Sequence, residues 1–165
     1  MLARLLNAKF LPSSSDAGLL VLRVGAGLIL FMRHGWEKVS PLTLINPQFP
    51  DPLHIGHNTT WVLAMLSDGI CSLLIALGVG TRWLSFYCFF NIFVAWALVH
   101  HFTFVGKTPG ADHGELIALY LTAFTALMVA GPGRYSVDGW LAAKEETSGF
   151  VVKAHPAAQP SAQGN

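Results

Sequence analysis

Charge is what this chain has least of. Only 12% of its 165 residues are Asp, Glu, Lys or Arg, against about 25% in a soluble domain. The formal net charge is +1 and no basic stripe runs along the sequence, which excludes the phosphate-neutralising surface that a nucleic-acid partner needs. Cysteine is scarce too: Cys71 and Cys88 stand alone, each inside an apolar run. Two such residues make no disulfide framework of a secreted domain, and they read as buried structural thiols ahead of a redox pair. No GxGxxG and no P-loop occurs, so a nucleotide or flavin fingerprint is missing; HExxH and CxxC are missing as well. No metal site is therefore expected. The N-terminal stretch MLARLLNAKFLPSSSDAG is polar and mixed, unlike the short apolar core of a cleavable signal peptide.

What is present is apolar length. Apolar residues make up 53% of the chain, more than a soluble fold of this size can bury, so the excess must face lipid. Four runs carry it: Ala17–Trp36, Trp61–Gly80, Trp83–Phe102 and Glu115–Gly131. Each has about the 17–25 residues that a transmembrane helix needs. A Pro-rich loop, Pro41–Thr60, joins the first two, and Gly78-Val79-Gly80-Thr81-Arg82 makes a tight turn between the second and third. Gly131-Pro132-Gly133 stops the fourth, since Gly caps helices and Pro cannot continue them. The expected fold is all-α: a four-helix transmembrane bundle over residues 17–140, after an N-terminal segment 1–16. Residues 141–165, small, polar and Pro-containing, read as a flexible C-terminal tail.

Lys and Arg set the direction. Arg4, Lys9, Arg82, Arg134, Lys144 and Lys153 fall on one side; Arg33, Lys38 and Lys107 fall on the other. This bias of six to three makes both termini cytoplasmic. Trp36 and Trp61 then mark the outer interface and Trp83 the inner one. In this layout six of the seven histidines, His34, His54, His57, His100, His101 and His113, lie on the outer side, with Glu37, Lys38, Asp112 and Glu115. A pocket of titratable groups near the outer leaflet is one reading; tolerable interfacial residues and solvated helix ends are the other.

Two ionisable groups lie deeper. Arg23 is roughly 9 Å in from the inner end of its helix and Asp68 roughly 10 Å from the outer end of the second. An intramembrane carboxylate must be neutral or paired, and Arg23 is the expected partner across the bundle. Polar or small stripes should face the interior: Asp68, Cys71 and Ser72; Cys88, Asn91 and Ala95; Glu115, Ala118, Thr122 and Thr125. They are either interhelical packing contacts or the walls of a site for a polar headgroup, such as a quinone or a thiol compound. Asp112–Glu115 also has the form of a capping box opening the fourth helix. The candidate pocket is Arg23, His34, Glu37, Lys38, Asp68, His100, His101 and Glu115.

Several pieces, in order, resemble one family. They are LRVGAGLILFMRHGWEKV with Arg23 and Arg33–Lys38, FPDPLHIG (Phe49–Gly56), ALGVGTR (Ala76–Arg82) and GELIALYL…GPGRYSVD (Gly114–Asp138). Together these resemble the DoxX family of small four-helix membrane proteins, over roughly residues 17 to 140. The matching motif residues are Arg23, His34, Gly35, Lys38, Gly131, Arg134 and Asp138. One departure is Asp68-Gly69, where the family often has Glu before Gly; the shorter Asp requires a closer partner. The resemblance implies a bacterial inner-membrane protein. Some relatives belong to oxidoreductase systems, including a thiosulfate:quinone oxidoreductase related through the DoxD branch and complexes tied to thiol redox balance. The expectation is thus a membrane component of a quinone- or thiol/sulfur-linked oxidoreductase system. A membrane quinone is the candidate cofactor, and the lipid bilayer and a protein partner or second copy are the expected partners. A non-catalytic scaffold or assembly partner is the alternative, favoured by the small residues Gly25, Gly27 and Gly69 in the spans. A transporter is weaker, because no repeat or broken helix is visible.

Overall fold

The structure is a computed structural model that describes residues 15–40, 48–104 and 114–153. Every element among these residues is helical. Three helices are long and apolar enough to cross a membrane: α1 (Ser15–Val39), α2 (His57–Leu77) and α3 (Thr81–Val99). A fourth, α4 (Gly114–Ala130), is shorter, at 17 residues, and equally apolar. The helix α5 (Val137–Lys153) follows it. α1 packs on α2 and α4, and α3 packs on α2 and α4, so the four apolar helices close a ring. Its core is Leu30, Ile75, Ile92, Tyr120, Leu121, Phe124 and Leu127, with both cysteines among them. Large apolar side chains also cover the outside, including Val21, Met32, Trp83, Phe86, Phe90 and Leu119. A soluble protein does not display so many; here they meet lipid chains, and the protein is a multi-pass membrane protein.

Glycines set how closely α1 and α2 approach. A side chain at Gly27 would run into the Ser72 carbonyl, one at Gly35 into the Asp68 backbone, and one at Gly69 into Val39. Small residues at a membrane helix interface allow this contact, and it carries the last turns of α1 directly against the middle of α2. Each of the three long helices also contains a π-helical turn: Phe31–Gly35 in α1, Leu66–Cys71 in α2 and Ala95–Val99 in α3. Such turns insert an extra residue and re-aim the side chains around it, often at functional sites.

The opposite end is locked by hydrogen bonds. The Asp138 carboxylate accepts from the amides of Gly80 and Thr81, at 2.8 and 2.9 Å, which are free donors at the start of α3. The Asp138 amide in turn donates to the Gly78 carbonyl at 3.0 Å. Arg82 donates to the Met128 carbonyl near the end of α4, at 3.0 Å. Gly78 and Gly131, at φ of 79° and 85°, take the left-handed conformation that these turns require.

Three expectations change. The segment from 141 onward does not begin as a flexible tail: α5 continues to Lys153, and residues 154–165 lie outside the described ones. Ser136 starts this helix, accepting the Gly139 amide at 2.9 Å, and Leu, Ala, Lys and Glu then propagate it. α3 ends at Val99, so His100 and His101 have left the helix. The stripe expected to face inward on α4 faces outward: Glu115, Thr122 and Thr125 are exposed. The two threonines satisfy their hydroxyls on carbonyls one turn back, at 2.8 and 2.7 Å, and so tolerate lipid.

Candidate functional site

Between the halves of the helices that carry Lys38, Thr60 and Val99 lies a cavity of about 330 Å³. α1 contributes Leu30, His34 and Lys38; α2 contributes Thr60, Ala64 and Asp68; α3 contributes Asn91, Ile92, Val94, Ala95 and Val99; α4 contributes Leu116, Ile117 and Tyr120. Phe49, Pro50 and Pro52 of the loop and His100 complete the wall. The π-helical turns of α1, α2 and α3 all reach it, through His34, Asp68, and Ala95 with Val99.

The central feature is a buried ion pair. Lys38 is 4% exposed and Asp68 8%, and Lys38 Nζ lies 3.3 Å from Asp68 Oδ2. The ammonium also donates to the His34 carbonyl at 2.7 Å and to Glu37 Oε1 at 3.2 Å, and it lies 5.9 Å from the centre of the Trp61 ring. Its three protons thus have oxygen acceptors. α1 stops one residue after Lys38, whereas α2 continues outward for eleven residues beyond Asp68, about three turns. Trp61, packed edge-on against Phe49 with ring centres 5.0 Å apart, helps close that gap over the pair.

This corrects the expected pairing. Arg23 does not reach Asp68. It is 1% exposed at the inner end, donating to the carbonyls of Pro132 at 2.7 Å and Tyr135 at 2.5 Å. Those carbonyls are spare because the chain there is a turn, and a planar guanidinium meets two acceptors at once. Lys38 takes the Asp68 role because Gly35 and Gly69 bring the two backbones together. The short Asp at 68 fits that close approach.

Of the other candidates, His34 is half-buried on the cavity wall and Glu37 is exposed beside Lys38. His100 is exposed and forms part of the wall; His101 is exposed and does not. The reason is backbone: His101 and Phe102 both take positive φ, 48° and 55°, and Phe102 folds back on Trp96 with ring centres 5.3 Å apart. Glu115 is exposed in the first turn of α4 and is not part of the wall; Asp112 and His113, the rest of its expected capping box, lie outside the described residues. His57 bonds to the Phe49 carbonyl at 2.6 Å, and His54 is exposed. Trp61 is buried, so it does not mark the interface as Trp36 does. Among the described residues no three His, Cys, Asp or Glu side chains converge as a metal site.

Tyr120 is a polar cavity residue that sequence pattern missed, whereas Asn91 and Ala95 stand on the wall as their inward stripe predicts. Tyr120 is 6% exposed and its hydroxyl has no hydrogen-bond partner among the described residues; the same holds for Asp68 Oδ1. Buried polar atoms are rarely left so. Tyr120 shares a helical face with Leu116 and Ile117, which a search for polar stripes passes over.

Outside the bundle, Asp51 organises the loop. Its carboxylate accepts from the amides of Ile55 and Gly56, at 3.0 and 2.7 Å, and from the Thr60 hydroxyl at 3.0 Å. Desolvation works to raise its pKa, but the bonds from Gly56, Thr60 and Ile55, with nearby His57, outweigh it, and the carboxyl lies below its ordinary value.

A glycine-spaced α1 carrying Arg23 and the Arg33–Lys38 end, a loop leading into α2, and a two-glycine turn into α3 are the features that decide the family. The DoxX family model matches residues 18–101, half of the chain. The chain belongs to the DoxX family. The matched segment of this DoxX protein includes Arg23, His34, Lys38, Asp68 and His100. No curated protein and no solved structure matches it.

Proposed function

We propose that this DoxX protein is a component of a membrane oxidoreductase system and that its cavity receives the ring of a membrane quinone. The membrane would be the bacterial inner membrane, crossed four times with both termini in the cytoplasm. The observation that carries the reading is an apolar cavity within the bundle that ends on the Lys38–Asp68 pair and on a tyrosine hydroxyl with no partner among the described residues. Apolar walls with a few convergent polar groups are the usual form of a small-molecule site. A quinone ring is apolar with two carbonyl acceptors. Tyr120 Oη–H and the Asn91 amide are donors on the wall to hold them, and His34 and His100 add imidazoles to the same wall. Bound there, a quinone supplies two-electron chemistry; the protein supplies the fit, the donors and the exclusion of water.

The test is saturable binding of a short-chain ubiquinone analogue to the protein in nanodiscs. Tyr120→Phe removes only the unpaired hydroxyl, so the fold should survive while affinity falls about 3- to 10-fold, the worth of one hydrogen bond. Absence of saturable binding to the wild type overturns this reading. It would leave the scaffold role, whose sign is stable co-purification of a partner that no cavity substitution disturbs.

A further inference from the structure

Cys71 and Cys88 come together one turn inward of the cavity. Cys71 lies three residues from Asp68 on α2, and Cys88 three residues from Asn91 on α3; Asp68 and Asn91 both line the cavity. Both cysteines are buried in the same core cluster, and both are free. Cys88 Sγ also donates to the Ser67 carbonyl, at 3.4 Å, so it faces the same side of α2 that carries Ser67 and Cys71. Their surroundings differ from those of packing cysteines. The Ser67 and Ser85 side chains are both 0% exposed, and neither hydroxyl has a hydrogen-bond partner among the described residues. Purely structural thiols require only apolar neighbours. Here a buried hydroxyl stands one helical turn from each thiol, Ser67 from Cys71 and Ser85 from Cys88, where it can accept and pass on a thiol proton.

We infer that Cys71 and Cys88 form a redox-active dithiol that a quinone in the adjacent cavity oxidises to a disulfide. The step balances as two thiols and one quinone giving one disulfide and one quinol. Both S–H bonds break and one S–S bond forms. The electron pair and both protons end on the two quinone oxygens. The inference rests on the quinone reading of the cavity. Burial decides which oxidant can act: Cys88 is 0% exposed and Cys71 8%, so water-borne disulfides have no path to either sulfur, whereas a lipid-soluble quinone approaches to within about one helical turn, roughly 5 Å.

The experiment counts thiols. Protein in nanodiscs is reduced, freed of reductant, incubated with the short-chain ubiquinone analogue, denatured and treated with N-ethylmaleimide, and its intact mass is measured. Two adducts are expected before the quinone and none after it. Cys71→Ser and Cys88→Ser should each keep their single adduct throughout, and glutathione disulfide should leave both wild-type adducts in place. Two adducts that persist after quinone treatment overturn the inference, as does loss of the lone adduct in either serine variant. Binding of the same quinone, measured in parallel on the same nanodiscs, separates the two proposals. Binding without oxidation overturns the dithiol alone; neither binding nor oxidation overturns the cavity reading with it.

Discussion

Lys38 and Asp68 form an ion pair buried between α1 and α2. Removing one charge from a buried pair strands its partner, which costs about 3–5 kcal/mol, whereas replacing both by apolar residues of similar volume is often close to neutral. Asp68→Asn should therefore lower the thermal stability of the detergent-solubilised protein by about 3–5 kcal/mol, and Lys38→Met/Asp68→Leu should restore most of it. Differential scanning calorimetry checks both. If Asp68→Asn melts like the wild type, the pair does not hold the helices together. The sequence showed that an intramembrane Asp must be neutral or paired, but it favoured the wrong partner. Arg23 was the expected partner as the long cation placed within the membrane; what decides the matter is the close contact of α1 and α2 at Gly35 and Gly69. A glycine in a span is visible in the sequence. The helix it faces is not.

At the scale of elements, periodicity located the apolar helices and both glycine turns. It missed the π-helical turns, because a single inserted residue changes where side chains point without changing composition. It also missed the fold of residues 48–56, where one carboxylate satisfies two amides and a hydroxyl. That loop roofs the cavity, and its pH dependence follows from Asp51. The Asp51 pKa is lowered in the folded loop, so its stabilising effect is fully present above the ordinary Asp pKa and is lost as pH falls through the lowered one. Hydrogen exchange of the Ile55 and Gly56 amides should accordingly show protection at neutral pH that disappears in acid, after correction for intrinsic rates. Asp51→Asn should remove the pH dependence, and protection that ignores pH in the wild type would disprove the role. Opening this loop uncovers Phe49, Pro50 and Pro52, so quinone entry in the proposed site should become faster in acid.

The whole molecule has two unlike ends. One gathers the start of α1, the α2–α3 turn, the end of α4 and the start of α5. There Asp16 accepts from the Arg134 amide at 2.9 Å, and Asp138 and Arg23 tie the turns together. The other holds the cavity and its loop roof. A fixed end and an open end suit a bundle that must stay assembled while a ligand enters from one side. In the proposed topology the fixed end is cytoplasmic, a reading supported by Arg82, Arg134 and Lys144, which all lie there or on the adjoining α5. Single cysteines introduced into a Cys71→Ser/Cys88→Ser background test this in spheroplasts. His54→Cys, in the exposed loop, should react with a membrane-impermeant maleimide from outside. Lys144→Cys, exposed on α5, should react only after permeabilisation. The reverse pattern would turn the cavity toward the cytoplasm, and any quinone-linked partner would then have to dock on the cytoplasmic face. The predicted pattern would place the cavity, and the proposed dithiol behind it, toward the outer face of the membrane.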